Sequence, residues 1–342
     1  MNTLETNFLL LFLSYNSKDP SCYRINDADV MTEHSNESAV RELAAYLQKR
    51  SQKIDKIFLF SSQATKKLLK SADITTVDFF KRRIKEFVPA ENIITVDYDE
   101  SNSMNAALSD IGEMGKSILA EAEKIQREQG ADCPITIHAD MTGGMRNASM
   151  MMLGVMRLLN FSGLQMGRIL YSNWERNRDV NYVEDSQDVY RFFDLVAGAT
   201  EFAKYGSVEK LADYYKIDVF EQKPYTAECN LNRELYELVN AMGYFAQSIK
   251  LCRYGDLEDA CALLAEKIQA FTNLLFATLL PTIEESYKTV LSAHDDLDII
   301  TWCVKQGHLQ QAMTLYTERV PEFIDKQGFY TLDDATAKEI NK

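Results

Sequence analysis

The 342-residue sequence is poor in the residues that build metal sites and disulfide frameworks. It has four histidines, and its six cysteines form no Cys-x-x-Cys pair, so a zinc-type cluster is not expected. Scattered thiols of this kind are typical of a reducing cytoplasm. The composition therefore predicts a cytoplasmic protein with no metal and no other cofactor.

Long hydrophobic runs are also missing. The stretch 8–13 is continuously apolar, but it is far shorter than the roughly 20 residues that cross a bilayer as a helix. No lysine or arginine precedes it, so the basic end of a signal peptide is missing as well. The sequence predicts neither a membrane segment nor a secretory leader.

Positive charge is scarce, since 37 basic residues face 51 acidic ones and the formal net charge is −14. This balance argues against broad binding to nucleic acid, which needs a positive surface. It leaves room for a small basic pocket that holds one anionic ligand. Only 20 residues are glycine or proline and 46% are hydrophobic, so a disordered or fibrous chain is excluded and about two domains are expected.

The common nucleotide-binding fingerprints are missing too. No Gly-x-Gly-x-x-Gly follows a predicted strand, which argues against a dinucleotide site. No Gly-x(4)-Gly-Lys-Ser/Thr occurs, which argues against an ATP-hydrolysing P-loop. A nucleotide that binds this chain would need another kind of site.

What is present is an alternation of strand-length apolar runs with helical patterns in residues 1–186. Such an alternation is typical of βαβ units in a doubly wound parallel sheet, so we predict an α/β, Rossmann-like domain here. The predicted strands are 8–13, 56–61, 92–97, 134–140 and 167–172, and the predicted helices are about 38–50, 64–87, 104–128 and 145–161.

From residue 187 to 342 the strand signal stops, and we predict an all-α domain whose first part, about 187–230, is a helical linker. Apolar residues recur at three- and four-residue spacing in 232–253, 257–280 and 297–320. A near-repeat at 255–260 and 307–312 favours a tight turn that opens the second helix of a hairpin, with an α-solenoid as the alternative.

The loop after the fourth predicted strand is the first candidate site. Gly143 and Gly144 let the backbone turn tightly, and the next helix offers unpaired N–H groups at its start. Thr142 adds a hydroxyl and Arg146 a forked cation suited to phosphate. We expect this loop, with Asn147, to hold a phosphate or phosphodiester. The alternative is a plain tight turn with Arg146 in solvent.

The other strand ends are polar in a compatible way. In a doubly wound sheet, ligands bind beyond the carboxyl ends of the strands. Hydroxyls, amides and an aromatic face there would hydrogen-bond and stack a purine. The candidate residues are Ser14, Asn16, Ser17, Lys18, Ser61, Ser62, Tyr171 and Asn173.

The run 135–172 resembles the CARF domain, the CRISPR-associated Rossmann fold of type III CRISPR systems. Residues 140–146, Asp-Met-Thr-Gly-Gly-Met-Arg, fit the family's loop pattern of Asp-hydrophobic-Thr-His/Gly-Gly-x-Arg/Lys at every position. The resemblance implies a nucleotide-binding homodimer in antiviral defence. Its two CARF domains would form one cleft for cyclic tetra- or hexa-adenylate.

Segments 190–206 and 297–321 are similar to the helical parts of CARF–HEPN ribonucleases. The family's Arg-x(4–6)-His motif is missing, because no arginine stands five to seven positions before any histidine. Two interpretations stay open, a chain that ends before its effector and a sensor without ribonuclease activity. A ring nuclease that cuts its own activator, and a helical interaction scaffold that binds no nucleotide, are further alternatives.

His138 and Asp140 lie two apart on one predicted strand, so their side chains share a face. An acid–base or metal pair is one interpretation, and a hydrogen-bonded core histidine is the favoured one. The methionines at 150–152 and 156 are expected in the core.

Overall fold

The computed structural model describes residues 5–15, 20–69, 73–100, 104–131, 133–144, 147–221, 223–226, 232–272, 274–292 and 296–328. The chain divides into two compact units, Met1–Tyr190 and Arg191–Lys342. The predicted boundary after residue 186 lies just before this division. Each unit has its own core.

The first unit is an α/β domain built on an eight-stranded sheet. Along the sheet the strands follow the order β3-β2-β8-β7-β6-β1-β4-β5. The strands are β1 (Thr6–Phe12), β2 (Ser21–Ile25), β3 (Ala28–Thr32), β4 (Lys56–Ser61), β5 (Ile93–Asp97), β6 (Ile135–Asp140), β7 (Gln165–Asn173) and β8 (Asn181–Asp185). The helices are α1 (Ser35–Gln48), α2 (Thr76–Ile84), α3 (Met104–Gln129) and α4 (Ala148–Phe161), with a 3-10 turn at Ala90–Asn92.

The five predicted strands are confirmed, and they pair in parallel. Strand β1 is buried along its whole length because both of its faces are covered. Phe8, Leu10 and Phe12 pack into the core that contains residues of α3 and α4, while Leu9 and Leu11 pack into the core that contains residues of α1 and α2. Alternate side chains of one apolar run thus serve two cores.

The chain order places the switch point of the sheet between β1 and β6. After β1 and the β2–β3 hairpin, the chain continues through α1 to β4 on one side of β1, whereas β6 and β7 lie on its other side. Strands β1 and β6 are neighbours and run parallel, with Leu11 opposite Asp140. The loops after these two strands therefore meet at one edge of the sheet.

Three strands were not predicted, and they make the sheet mixed. Strands β2 and β3 form an antiparallel hairpin, β7 and β8 pair antiparallel, and β2 runs parallel to β8. The hairpin turns at Asn26 and Asp27, which both have positive φ. Helices were also expected over about 64–87, and the structure has one helix among the described residues there, α2 (Thr76–Ile84), capped by the Thr75 hydroxyl.

The second unit is helical, and the part of it that the structure describes contains no strand. Its aromatic core includes Phe202, Phe245, Tyr287 and Trp302, with the Phe202 and Tyr287 rings stacked 4.8 Å apart. The helices are α5 (Gln187–Tyr205, which begins in the first unit), α6 (Glu209–Tyr215), α7 (Arg233–Lys250), α8 (Tyr254–Ala270), α9 (Leu274–Ala277), α10 (Leu280–Leu291), α11 (Asp296–Lys305) and α12 (Leu309–Lys326).

The predicted turn at Gly307 is confirmed, because this glycine has φ of 81° between α11 and α12. Gly255 instead lies inside the first turn of α8, and the chain reverses three residues earlier at Cys252, which has φ of 53°. Among the described residues, no helix is both long enough and apolar enough to cross a membrane.

Candidate ligand cleft

A cleft of about 430 Å³ lies at the switch point, where the loops after β1 and β6 meet the end of β7. The β2–β3 hairpin and the start of α1 supply another wall. The lining residues are Ser14, Tyr15, Ser21, Tyr23, Thr32, Glu33, His34, Ser35, Thr142, Gly144, Tyr171, Ser172 and Trp174.

A buried carboxylate and a buried amide join the two strand ends beside the cleft. Asp140 accepts hydrogen bonds from Asn36 Nδ2 at 2.7 Å and from the backbone N–H of Thr142 at 2.8 Å. Asn36 also donates to the carbonyl of Phe12 and accepts from the N–H of Ser14. Because one amide bonds to the ends of both β1 and β6, it fixes the distance between their loops.

Burial raises the pKa of Asp140 to about 6, although hydrogen bonds from Thr142 and Asn36 oppose the shift. Tyr23 lines the cleft, and burial together with the charge of Asp140 raises the pKa of its phenol to about 12. The phenol therefore stays protonated at neutral pH and retains its O–H donor.

The two glycines of the loop are required by close packing. A Cβ on Gly143 would overlap the carbonyl oxygen of Phe12, so only glycine lets the β6 loop approach the end of β1. Gly144 has φ of 91°, and a Cβ there would overlap the side chain of Ala148 at the start of α4. The predicted tight turn is confirmed, with the specific reason that the backbone approaches a neighbouring strand.

Hydroxyl groups tie the neighbouring strand ends together. The Thr142 hydroxyl accepts a hydrogen bond from the N–H of Ser172 at 2.9 Å and also interacts with the Asp140 carboxylate. On the other side, Ser38 Oγ lies 2.8 Å from Ser172 Oγ. Thr142 thus helps to hold β6 and β7 in position as well as lining the cleft.

Helix α1 begins at the cleft, so the positive end of its dipole faces this region. Its N-cap is His34, whose Nδ1 accepts from the N–H of Asn36 while Nε2 donates to the carbonyl of Ser14 at 3.1 Å. Burial lowers the pKa of His34 to about 4. The imidazole is therefore neutral at physiological pH and acts as a fixed hydrogen-bonding cap.

A buried ionic cluster holds the first turn of α1. Glu37 is fully buried and accepts a bidentate pair from Arg83 of α2, at 2.9 and 3.1 Å. It also accepts from Arg41 and from the backbone N–H of Glu33. Burial alone would raise the pKa of Glu37, but these donors outweigh it and the pKa is lowered.

Three aromatic side chains line the cleft and remain accessible. Tyr15, Tyr171 and Trp174 are 45%, 42% and 41% exposed. Exposed aromatic faces beside a pocket are available to stack on a planar ligand such as a nucleobase.

The structure brings some of the predicted site residues together and places others elsewhere. Ser14, Thr142, Gly144 and Tyr171 line the cleft, and Gly143 packs directly beneath it. Four predicted residues lie outside the described residues, namely Asn16, Ser17, Lys18 and Arg146.

The remaining four predicted residues do not line this cleft. Ser61 bonds to Thr65, and Ser62 is buried. Asn173 donates to Glu184 across the β7–β8 pair. Asn147 caps α4 by position, without a side-chain hydrogen bond. Of these four, Ser61 and Asn173 use their side chains in local hydrogen bonds where their strands end.

Sequence reasoning missed most of the wall formed by residues 21–35. These residues are Ser21, Tyr23, Thr32, Glu33, His34 and Ser35. A usable signal was present, because His-Ser-Asn-Glu at 34–37 places polar caps and an acidic residue at a helix start.

His138 is a hydrogen-bonded core residue, as favoured from the sequence. Its Nε2 donates to Asn7 Oδ1 at 3.1 Å, and its Nδ1 accepts from the N–H of Arg168 at 2.9 Å. Burial lowers its pKa to about 4. Among the residues that the structure describes, no group of three or more His, Cys, Asp and Glu could hold a metal ion.

No protein-family model matches the chain, and no curated protein is similar enough to match it. Among solved structures, the fold is similar to that of Enterococcus italicus Csm6 bound to cyclic hexa-2′-fluoro-hexa-dAMP. The identity is 11%, the TM-score is 0.37, and the match covers 97% of this chain and 77% of that chain. A similarity at this level does not indicate a function, so the function is argued from the chemistry of the cleft.

Proposed function

We propose that the first unit binds a cyclic oligoadenylate in the cleft at the switch point. The main support is the set of groups around one cavity of about 430 Å³. They are exposed aromatic faces, hydroxyls, the start of a helix and a glycine loop. Tyr15, Tyr171 and Trp174 suit the bases, and the start of α1 suits a phosphate. The match of residues 140–146 to the CARF loop pattern supports the same ligand.

The proposal includes a homodimer. A ring of four or six adenylates is itself symmetric, so two copies of the cleft would each contact half of the ring. Lys18 and Arg146 would supply the positive charge that phosphates need, because the described lining contains no lysine or arginine and its His34 is neutral. An excess of acidic residues over the whole chain does not oppose this, since only the cleft must be positive.

We further propose that binding is relayed to the helical unit and serves type III CRISPR defence. Helix α5 supports this route, because it begins at Gln187 in the first unit and continues into the second. The helical unit would receive the signal as a shift in the population of its conformations.

Isothermal calorimetry with cyclic tetra- and hexa-adenylate tests the binding proposal. We expect at least one ring to bind, with one ring per two chains. Replacing Tyr171 by alanine should weaken binding roughly tenfold, because base–aromatic stacking contributes about 1–3 kcal/mol. The matched control is Tyr182→Ala, since Tyr182 has a similar exposure of 46% but does not line the cleft.

Absence of heat with both rings, from a correctly folded protein, would refute the proposal. Chromatography of the same mixtures shows whether the ring is cut. We expect intact rings, because both nitrogens of His34 are already bonded and the Glu33 carboxylate beside it is held in an ion pair with Arg83. Linear products would favour the ring nuclease instead.

A further inference from the structure

We infer that Glu33 accepts a hydrogen bond from the 6-amino group of a bound adenine and so makes the cleft favour adenine over a purine base that has no exocyclic amino group. This inference rests on the proposed function. It starts from an anomaly of charge, since a carboxylate lines a cleft that should accept phosphates.

The position of Glu33 is fixed by two independent contacts. Its backbone N–H donates to the buried Glu37 carboxylate at 3.0 Å, and its own Oε1 lies 3.0 Å from Nη1 of Arg83. The side chain nevertheless remains 45% exposed. No described residue forms a hydrogen bond with Oε2, so this oxygen can accept one from a ligand.

Arg83 removes the electrostatic objection to a carboxylate at this place. It pairs with both Glu33 and Glu37, yet it does not itself line the cleft. Glu33 therefore presents an acceptor oxygen to the cleft, while Arg83, which does not line the cleft, compensates its negative charge. A phosphate nearby meets less repulsion than it would from a lone carboxylate.

The chemistry of the acceptor explains why it would select a base. The hydroxyls of Ser14, Ser21 and Thr32 donate or accept as required, so they discriminate poorly between donors and acceptors on a base. An ionised carboxylate only accepts. It can accept from the 6-amino group of adenine, and it gains no hydrogen bond from unsubstituted purine, which has no amino group.

The test compares two rings in calorimetric titrations, cyclic oligoadenylate and the same ring built from purine riboside, in which hydrogen replaces the 6-amino group. The native protein should prefer the adenylate ring by roughly tenfold or more. Glu33→Met removes both charge and acceptor, so the preference should disappear. Glu33→Gln keeps an acceptor oxygen without the charge, so part of the preference should survive.

Glu113→Met is the matched control, because Glu113 is an exposed carboxylate on α3 that pairs with Lys116 and does not line the cleft. It should leave both affinities and their ratio unchanged. If the Met and Gln variants tighten both rings equally, Glu33 acts only as a repulsive charge and the inference is overturned. An unchanged ratio in the Met variant overturns it too. Failure of the native protein to bind either ring would instead refute the proposed function.

Discussion

At the scale of single residues, Gly143 and Asn36 determine how closely the ends of β1 and β6 approach. Gly143 lies against the carbonyl of Phe12, and Asn36 bonds to that same carbonyl and to Asp140. The glycine pair and Thr142 were predictable because turn and phosphate chemistry is local. Asn36 was not, since its role depends on a strand about a hundred residues away.

Replacing Gly143 by alanine should destabilise the first unit by about 1–3 kcal/mol, because a Cβ there overlaps backbone that has no room to move. Gly112→Ala is the matched control. Gly112 lies in α3 with open space around it, so alanine should be neutral or stabilising by up to about 1 kcal/mol. Urea unfolding of both variants measures the difference in unfolding free energy. Equal changes in the two variants would show that the close approach of Gly143 to Phe12 does not limit which residue fits there.

At the scale of elements, helix α2 determines where the first turn of α1 lies. Arg83 of α2 bonds to Glu37 of α1, and because the Glu37 carboxylate is fully buried, water does not easily take the place of Arg83. The cleft residues Glu33, His34 and Ser35 belong to or directly precede this turn. Contacts that never touch a ligand thus position one wall of the cleft.

Arg83→Met should cost about 1–3 kcal/mol of unfolding free energy, because it removes the bidentate partner of a buried carboxylate, which keeps its bond to Arg41. Arg82→Met changes the same charge on the exposed side of α2 and should cost less than about 0.5 kcal/mol. Chemical denaturation compares the two. Similar losses in both variants would contradict the role assigned to Glu37.

The elements predicted from sequence were those with strong apolar patterns. Strands β1, β4, β5, β6 and β7 and helices α1, α3 and α4 lie within a few residues of their predicted positions. Strands β2, β3 and β8 have five residues each and are partly exposed, so their patterns are weak. The hairpin turn Asn26-Asp27 also lacks the glycine that usually marks such a turn.

At the scale of the whole molecule, buried titratable groups make stability depend on pH. His34 and His138 both have pKa values lowered to about 4 by burial, so each contributes stability above its unfolded pKa that is lost as pH falls. Asp140 acts in the opposite sense, because its raised pKa of about 6 favours the folded state when it is protonated. Between pH 4 and 6 the two histidines make the unfolding free energy rise with pH, and the one carboxyl makes it fall.

We therefore expect the unfolding free energy of the first unit to rise with pH over this range, by about 1.4 kcal/mol per pH unit from these three groups. His138→Gln removes one of the two histidines. It should lower the slope by the contribution of about one proton, which is about 1.4 kcal/mol per pH unit. Hydrogen exchange of β1 and β6 in urea, at pH 4.5, 5.5 and 6.5, measures the slope of this unit alone. An unchanged slope in the variant would show that His138 does not contribute.

The hydrogen bond between Asn36 and Asp140 spans 104 residues of sequence, and that between Ser38 and Ser172 spans 134. One wall of the cleft is thus synthesised long before the other. On the ribosome the early segment emerges before Asp140 and Ser172 exist to bond with it, and the cleft cannot assemble until β6 and β7 have followed. Ligand binding would then require that the whole first unit has folded. A nascent or truncated chain that lacks β6 and β7 would not bind the ligand.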